Sequence, residues 1–207
     1  GNITFSFWIN VGPKQLSGDK YIFSSGTSGG GEAIRIRFNS GEFSFVAFDN
    51  GSNSKEWIYN TLLATPIAGS WHHMYIVWNG NFANDPIVFL DNVAYGVSSR
   101  TGTGSGTNWN PSTTLAIGGH HTATSNQLGG ALYSFGIWNV SSSANADALY
   151  NAGKPLNHGL PSAGNLLLFY QLGNESIEQG TIPSNAHDFA TMNVLDFIEP
   201  FTLPNTR

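Results

Sequence analysis

Two histidine pairs are the residues of this chain whose type and spacing first suggest chemistry: His72-His73 inside "GSWHHMYIVWNG", and His120-His121 after "LAIGG". Imidazole binds transition metals, moves protons near neutrality and hydrogen-bonds hydroxyl groups. Two ligands of one metal must converge, whereas neighbours in a strand point to opposite faces. The first pair lies in an alternating segment, so His72 is expected on the face of Met74, Ile76 and Trp78, and His73 on that of Tyr75 and Val77. That pair reads as structural. The second pair follows two glycines and is expected in a loop, where it is available to a metal, a proton or a sugar hydroxyl.

Aromatic rings outside the strand patterns are the natural platform for sugars, whose C–H faces stack on rings while their hydroxyls bond to amides. Trp109, beside Asn108 in "GTNWNPS", has no periodic reason to be core and is the first candidate; Trp57 and Tyr59 in "KEWIYN" follow. Trp8, Trp71, Trp78 and Trp138 lie in alternating strands and are expected to be structural. No G-x-S-x-G elbow supports a Ser-His-Asp nucleophile.

Composition narrows the ligand classes. Only 10% of the 207 residues are charged, so the surface must be built from Ser, Thr, Asn and Gly, which suits neutral hydroxyl-rich ligands or other protein surfaces. With eight Lys and Arg and a net charge of -5 there is no basic patch, and nucleic acid is not an expected partner. The absence of cysteine excludes disulfides and thiolate zinc sites. No apolar run is long enough to insert in a membrane. The sequence opens on Gly1 and reads as a piece of something longer. Sequons at Asn2, Asn50, Asn139 and Asn174 read as chance matches in a chain this rich in Asn and Ser.

The elements that must position these residues are mostly strands. "NITFSFWINV" alternates with period two and predicts a strand buried on the face of Ile3, Phe5, Phe7, Ile9 and Val11. "EAIRIRFNSGEFSFVAFDNG" predicts a hairpin turning at "NSG", and "PIVFLDNVAYGVS" another turning at Asp91-Asn92. "KEWIYNT", "SWHHMYIVW", "STTLAIGG", "GGALYSFGIWN" and "NLLLFYQL" add further strands, with more in "HDFATMNVLDFIE". Only "SSANADALYNAG" looks helical, with a serine cap and Gly153 as its stop. Many short strands with Gly, Asn and Ser turns predict an all-β sandwich or barrel.

The ordered motifs "TFSFWINV", "YIFSSG", "GSWHHMYIVWNG", "IVFLDNV", "LAIGG", "LGGALYSFGIWN" and "SSSANADALYNAG" resemble the laminin G-like, concanavalin A-like lectin-glucanase jelly-roll superfamily over roughly Asn2 to Lys154. The resemblance implies an antiparallel jelly-roll β-sandwich with one short helix; chain length sets the expectation of one domain over 1–207, in which the segment from about 165–199 supplies the final strands or, alternatively, begins another module. Asn92 stands for the usual turn glycine, and Leu132-Tyr133-Ser134 where many members carry an acidic pair. Relatives often bind calcium at the sandwich rim through loop oxygens, which here makes Asp49, Asn50 and Asn126 the candidate ligands, with Glu56 and Gln127 nearby in sequence. The same residues make ordinary Asx turns.

The expected function is a non-catalytic module that binds carbohydrate or a glycosylated surface through loops around Trp109, His120 and Asp49, in an extracellular, cell-surface or virion-surface protein. One alternative is an assembly domain of a capsid, fibre or adhesin, acting as a homo-oligomer or beside other subunits. Another is a polysaccharide hydrolase or lyase. Glycosidases of this fold commonly alternate carboxylates along one strand, and no strand here does so.

Overall fold

Alternating apolar and polar residues make strands with one face to hide, and here they hide it by laying two sheets face to face. In a computed structural model, the described residues are 1–12, 18–26, 31–50, 53–60, 62, 69–107, 114–122, 126–153 and 165–170, with the backbone of 192–194. Strands β1 (Ile3–Val11), β6 (Trp71–Trp78), β7 (Ile87–Leu90), β8 (Val93–Tyr95), β11 (Gly130–Trp138) and β12 (Leu166–Tyr170) form a six-stranded sheet in the order β12-β11-β1-β6-β7-β8. Strands β2 (Asp19–Gly26), β3 (Glu32–Asn39), β4 (Glu42–Phe48), β5 (Ser54–Tyr59), β9 (Ser99–Gly102), β10 (Thr114–Ile117) and β13 (Met192–Val194) form a seven-stranded sheet in the order β13-β10-β2-β3-β4-β5-β9. Pairing is antiparallel except between β10 and β13. This is the jelly-roll β-sandwich the sequence predicts.

The core lies between the sheets. Phe5, Phe7 and Ile9 of β1 meet Phe23, Ile36 and Phe45 of the other sheet, all at most 3% exposed. Rings interlock there, with Phe5 5.1 Å from Phe23 and Phe7 stacked on Phe135 at 5.4 Å. Each such side chain contributes roughly 1.5–3 kcal/mol by leaving water. Both expected hairpin tips turn as read: Asp91 and Asn92 have φ of 49° and 65°, as do Ser40 and Gly41 with 49° and 91°. Positive φ at both central residues matches the turn's twist to that of the strands it joins.

Strand β1 departs from its expected half-burial. Its second face is buried too, with Thr4, Ser6 and Trp8 at 0%, 3% and 4% exposure. The cause lies far along the chain. Helix α1 (Ala146–Tyr150) packs Ala146 and Leu149 against Tyr75, Val77 and Trp138, while Tyr150 stacks over Trp8. The helix begins at Asn145 with no side-chain capping bond, in place of the serine cap the sequence suggests, and turns off at Asn151, whose φ is 46°.

Candidate functional site

The outer face of the seven-stranded sheet is polar because Arg35 and Arg37 alternate with Ile34, Ile36 and Phe38, which face the core. Register sets Arg37 beside Tyr21 on one side and Ser44 on the other. Its guanidinium binds Asp19 at 3.0 Å and Glu56 at 2.9 Å, so strands β2, β3 and β5 are tied across the face. Arg35 binds Glu32 through both carboxylate oxygens, at 2.8 and 2.6 Å, and lies over the Phe48 ring with its Cζ 4.8 Å from the centroid. A carboxylate, a planar cation and a partly exposed ring thus share one end of the sheet.

The second histidine pair joins that end. After β10 the chain turns at Gly118, whose φ is 77°, and folds back along β2. Ser24 fixes the turn: its hydroxyl donates to the Gly119 carbonyl and accepts the His121 amide N–H at 2.6 Å. Off the strand, the two imidazoles do not point apart. Their ring centroids are 4.8 Å apart, His120 Nε2 is 3.1 Å from Glu32 Oε1, and His121 Nδ1 is 3.9 Å from Glu32 Oε2. Tyr21 packs edge-on against His120 at 4.8 Å, and His120 Nδ1 accepts the Thr122 amide N–H.

Burial makes this cluster electrostatically tense. The His121 side chain is 0% exposed, and neither ring nitrogen makes a hydrogen bond of good geometry, although the Gly31 carbonyl lies close enough to favour the protonated ring. Burial pushes the His121 pKa below its ordinary value, against the pull of Glu32. For Glu32 burial raises the pKa, but the bond and charge of Arg35, with the histidines behind, hold it below the usual carboxylate range. Glycine is required beside the ring, because a Cβ on Gly26 would collide with the Gly31 carbonyl and with His121 Nε2. Two imidazoles and a carboxylate form a donor set suited to a borderline divalent cation.

The structure brings His120 and His121 together and adds Glu32, which carries no local signal in the sequence. It corrects two other expectations. Trp57 and Tyr59 are 0% exposed and face the core opposite Phe45 and Phe43, so neither offers a ring to a sugar. The Trp57 indole N–H is directed toward Asp85 without a well-formed hydrogen bond, and the Tyr59 hydroxyl donates to the Pro86 carbonyl at 2.6 Å. The proposed calcium ligands do not assemble either. Asp49 accepts the Asn53 amide N–H at 2.9 Å and that of Ser105 at 3.3 Å, and it is 7% exposed; Asn50 is exposed beside it. Asn126 lies elsewhere, its carbonyl accepting from Tyr21 N–H at the opposite end of β2 from Gly26. A carboxylate surrounded by N–H donors is a turn brace, and these residues do not fit a calcium site. Asn108 and Trp109 lie outside the described residues; the described chain resumes at Thr114, which pairs with Gly26 at the cluster's end of the sheet.

The first histidine pair points apart, as the alternation predicts. His73 is 1% exposed, holds Ser6 Oγ at 2.8 Å through Nε2 and lies 5.3 Å from the Trp8 ring. His72 contacts Ser70 Oγ through Nε2 at 2.8 Å and Asp91 Oδ2 through Nδ1 at 2.6 Å. That is the connectivity of a nucleophile triad. An acyl-transfer site also needs an oxyanion hole, and the Gly69 and His73 amides nearby are committed to the Val11 carbonyl and Asp91 Oδ1.

Fold and site together define a two-sheet jelly-roll β-sandwich with an imidazole–carboxylate cluster at one sheet end. The chain belongs to the concanavalin A-like lectin/glucanases superfamily, whose laminin G-type family model matches residues 1–146. No curated protein sequence matches it significantly. Among solved structures it is similar to the receptor binding domain of botulinum neurotoxin mosaic serotype C/D, at 14% identity and a TM-score of 0.52, covering 72% of this chain and 36% of that one. A second structure of that mosaic domain gives 12% identity and a TM-score of 0.50, over 74% and 36% of the two chains. Domains LG4-5 of the mouse laminin alpha1 chain give 12% and 0.45, over 66% and 34%. The chain spans about a third of the length of these structures.

Proposed function

We propose that this chain is a non-catalytic recognition module that binds carbohydrate, or a glycosylated surface, as part of an extracellular or surface-displayed protein. The observation that carries the reading is the array at the end of the seven-stranded sheet: Arg35 lies over Phe48, with Glu32 and His120 beside it. Sugars are held by such arrays of fixed donors and acceptors next to a ring. The family includes both lectins and glucanases, and the acids favour the former. Asp19 and Glu56, brought to the outer face of the sheet, both accept from the Arg37 guanidinium, so their carboxylates are engaged with a cation between them and not with a sugar as a glycosidase pair must be. The toxin domains are by their own description receptor binding domains; that likeness is one of fold and carries no residue across.

A glycan-array screen of the protein, with Trp109→Ala and Arg35→Ala variants, tests the reading. We expect binding to a defined subset of glycans with micromolar to millimolar affinity per module, raised by multivalent display. Both variants are expected to weaken it by more than about tenfold, the loss typical of a side chain worth 1.4 kcal/mol or more. Silence across the array by a folded protein sinks the glycan reading and favours an assembly role, to be pursued by sedimentation. Turnover of a polysaccharide, lost on changing one carboxylate, overturns the non-catalytic half.

A further inference from the structure

Glu32, His120 and His121 have ligand atoms that all lie within 4.8 Å of one another, and the array reading above makes no use of His121. We infer that these three side chains form a site for a divalent transition cation of the zinc class, with Glu32 Oε, His120 Nε2 and His121 as ligands. The ion would share Glu32 and His120 with the glycan array, and metal titration reads it without any glycan present.

Geometry supports it first. Zinc bonds of about 2.0–2.1 Å at tetrahedral angles place ligand atoms about 3.3 Å apart. The observed separations, 3.1 Å from His120 to one Glu32 oxygen and 3.9 Å from His121 to the other, lie on either side of that value, and with all three ligand atoms within 4.8 Å a modest closing of the side chains brings the set around an ion. Chemistry agrees. Two nitrogens and one oxygen select zinc or its neighbours over calcium and magnesium, which take oxygen alone.

The second support is His121 itself. A buried imidazole whose nitrogens make no hydrogen bond of good geometry, with only the Gly31 carbonyl and Glu32 nearby, is a cost that a bound ion would offset. Ser24 anchors its backbone, and glycine at 26 leaves room for the ring, so the strained placement is built in. His120 has an outer partner as well. Its Nδ1 lies 3.1 Å from Thr122 Oγ1, which accepts the Nδ1 proton in the tautomer that a metal at Nε2 requires, in exchange for the long Thr122 N–H bond that Nδ1 accepts in the metal-free protein. Access comes from the Glu32 and His120 side, whose side chains are 16% and 11% exposed. Three protein ligands leave a fourth position for water or for an oxygen of a bound ligand.

Arg35 opposes the ion, since its guanidinium already pairs with Glu32. A carboxylate has lone pairs for both partners, but the like charges repel. This gives the inference a sign that a structural role for the cluster does not have: removing Arg35 tightens metal binding.

The test uses the whole chain, stripped with chelator and titrated with Zn2+ against a competing chromophoric chelator, with Co2+ as a spectroscopic probe. We expect one saturable Zn2+ per chain unaffected by excess Ca2+, the intense visible bands of four-coordinate Co2+, and loss of both in His121→Ala and Glu32→Gln. Thr122→Val should weaken binding by about tenfold, as second partners of ligating histidines do. Arg35→Ala should strengthen it by about tenfold through relief of like-charge repulsion. His72→Ala should change neither. Circular dichroism establishes that each variant is folded, and where His121→Ala is not, the Thr122 and Arg35 variants decide. No saturable binding in the intact protein, a six-coordinate Co2+ spectrum, or binding unmoved in folded Glu32→Gln overturns the site.

Discussion

The dipeptide His-His occurs twice in this protein and does opposite things. In β6 the period of two sends His72 and His73 to different environments: one rests against Asp91 at the hairpin tip, the other enters a closed pocket of Ser6, Trp8 and Tyr150. After β10 the backbone leaves the ladder at Gly118, and His120 and His121 turn toward a single carboxylate. Residue type is the same in both places. Backbone state decides whether two imidazoles become two structural parts or one site.

The widest gap between the pairs should appear with pH. Burial lowers the pKa of His73 to about 4, against the opposing pull of Asp91, from an ordinary 6.5. The unfolded chain therefore binds a proton that the folded chain refuses between those values. Stability is full above pH 6.5 and is lost as pH falls toward 4, by about 3 kcal/mol over the whole window and about 2 kcal/mol by pH 5. Glu32 and Asp91, held below the carboxylate range, lose their contributions at lower pH, so the upper stretch belongs to histidine. Because burial also lowers His121, urea unfolding at pH 7 and pH 5 is best measured in a His121→Leu background, with and without His73→Leu. A slope that survives His73→Leu removes this assignment.

Substitution sharpens the same contrast at fixed pH. His73→Leu leaves the buried Ser6 hydroxyl, 3% exposed, without its imidazole partner and should cost about 2 kcal/mol. His121→Leu removes two buried nitrogens that make no hydrogen bond of good geometry, at similar volume, and should be neutral or slightly stabilising in metal-free protein. Denaturation midpoints with unchanged slopes report both. Equal losses would mean that the two pairs are alike after all.

Much of this contrast was legible in the sequence, and the illegible part has a physical cause. Alternation is local, so strands, hairpin tips and the divergence of His72 and His73 follow from neighbours alone. Glu32 could not be read because it lies 88 residues from His120, and only the pairing of β10 to β2 and β2 to β3 brings it there. The burial of Thr4 likewise depends on chain more than a hundred residues away, where the Val140 carbonyl after β11 accepts its hydroxyl. Trp57 and Tyr59 were misread for another reason. Lys55, Glu56 and Ile58 surround them, and the charge of that segment hid a period-two pattern that points both rings at Phe45 and Phe43.

Asp91 tests whether the first pair is held by its hairpin. Its carboxylate joins the His72 ring to the His73 amide from the tip between β7 and β8. Asp91→Ala loses both bonds and places alanine at a φ of 49°, for a cost of about 1–2 kcal/mol. Hydrogen exchange should then rise at the β7–β8 tip while β10 and β11 stay protected. A uniform rise would mean that the tip is no separate clamp.

Ser70 gives the smallest effect and the sharpest distinction. In a working triad Ser70 Oγ is the nucleophile, His72 its base and Asp91 the residue that orients the base. As a tether, Ser70 only satisfies the outer nitrogen of a ring whose position Asp91 already sets, at an exposed place where water can substitute. The committed amides of Gly69 and His73 favour the tether, since a tetrahedral intermediate there would find no pair of donors. Ser70→Ala should therefore change stability by less than about 0.5 kcal/mol, in the range of surface substitutions. It should also leave the rate of activated-ester hydrolysis at the background of the intact protein. A burst of product in the intact protein that vanishes in Ser70→Ala would make His72 a base, and the first pair, not the second, would then carry the chemistry.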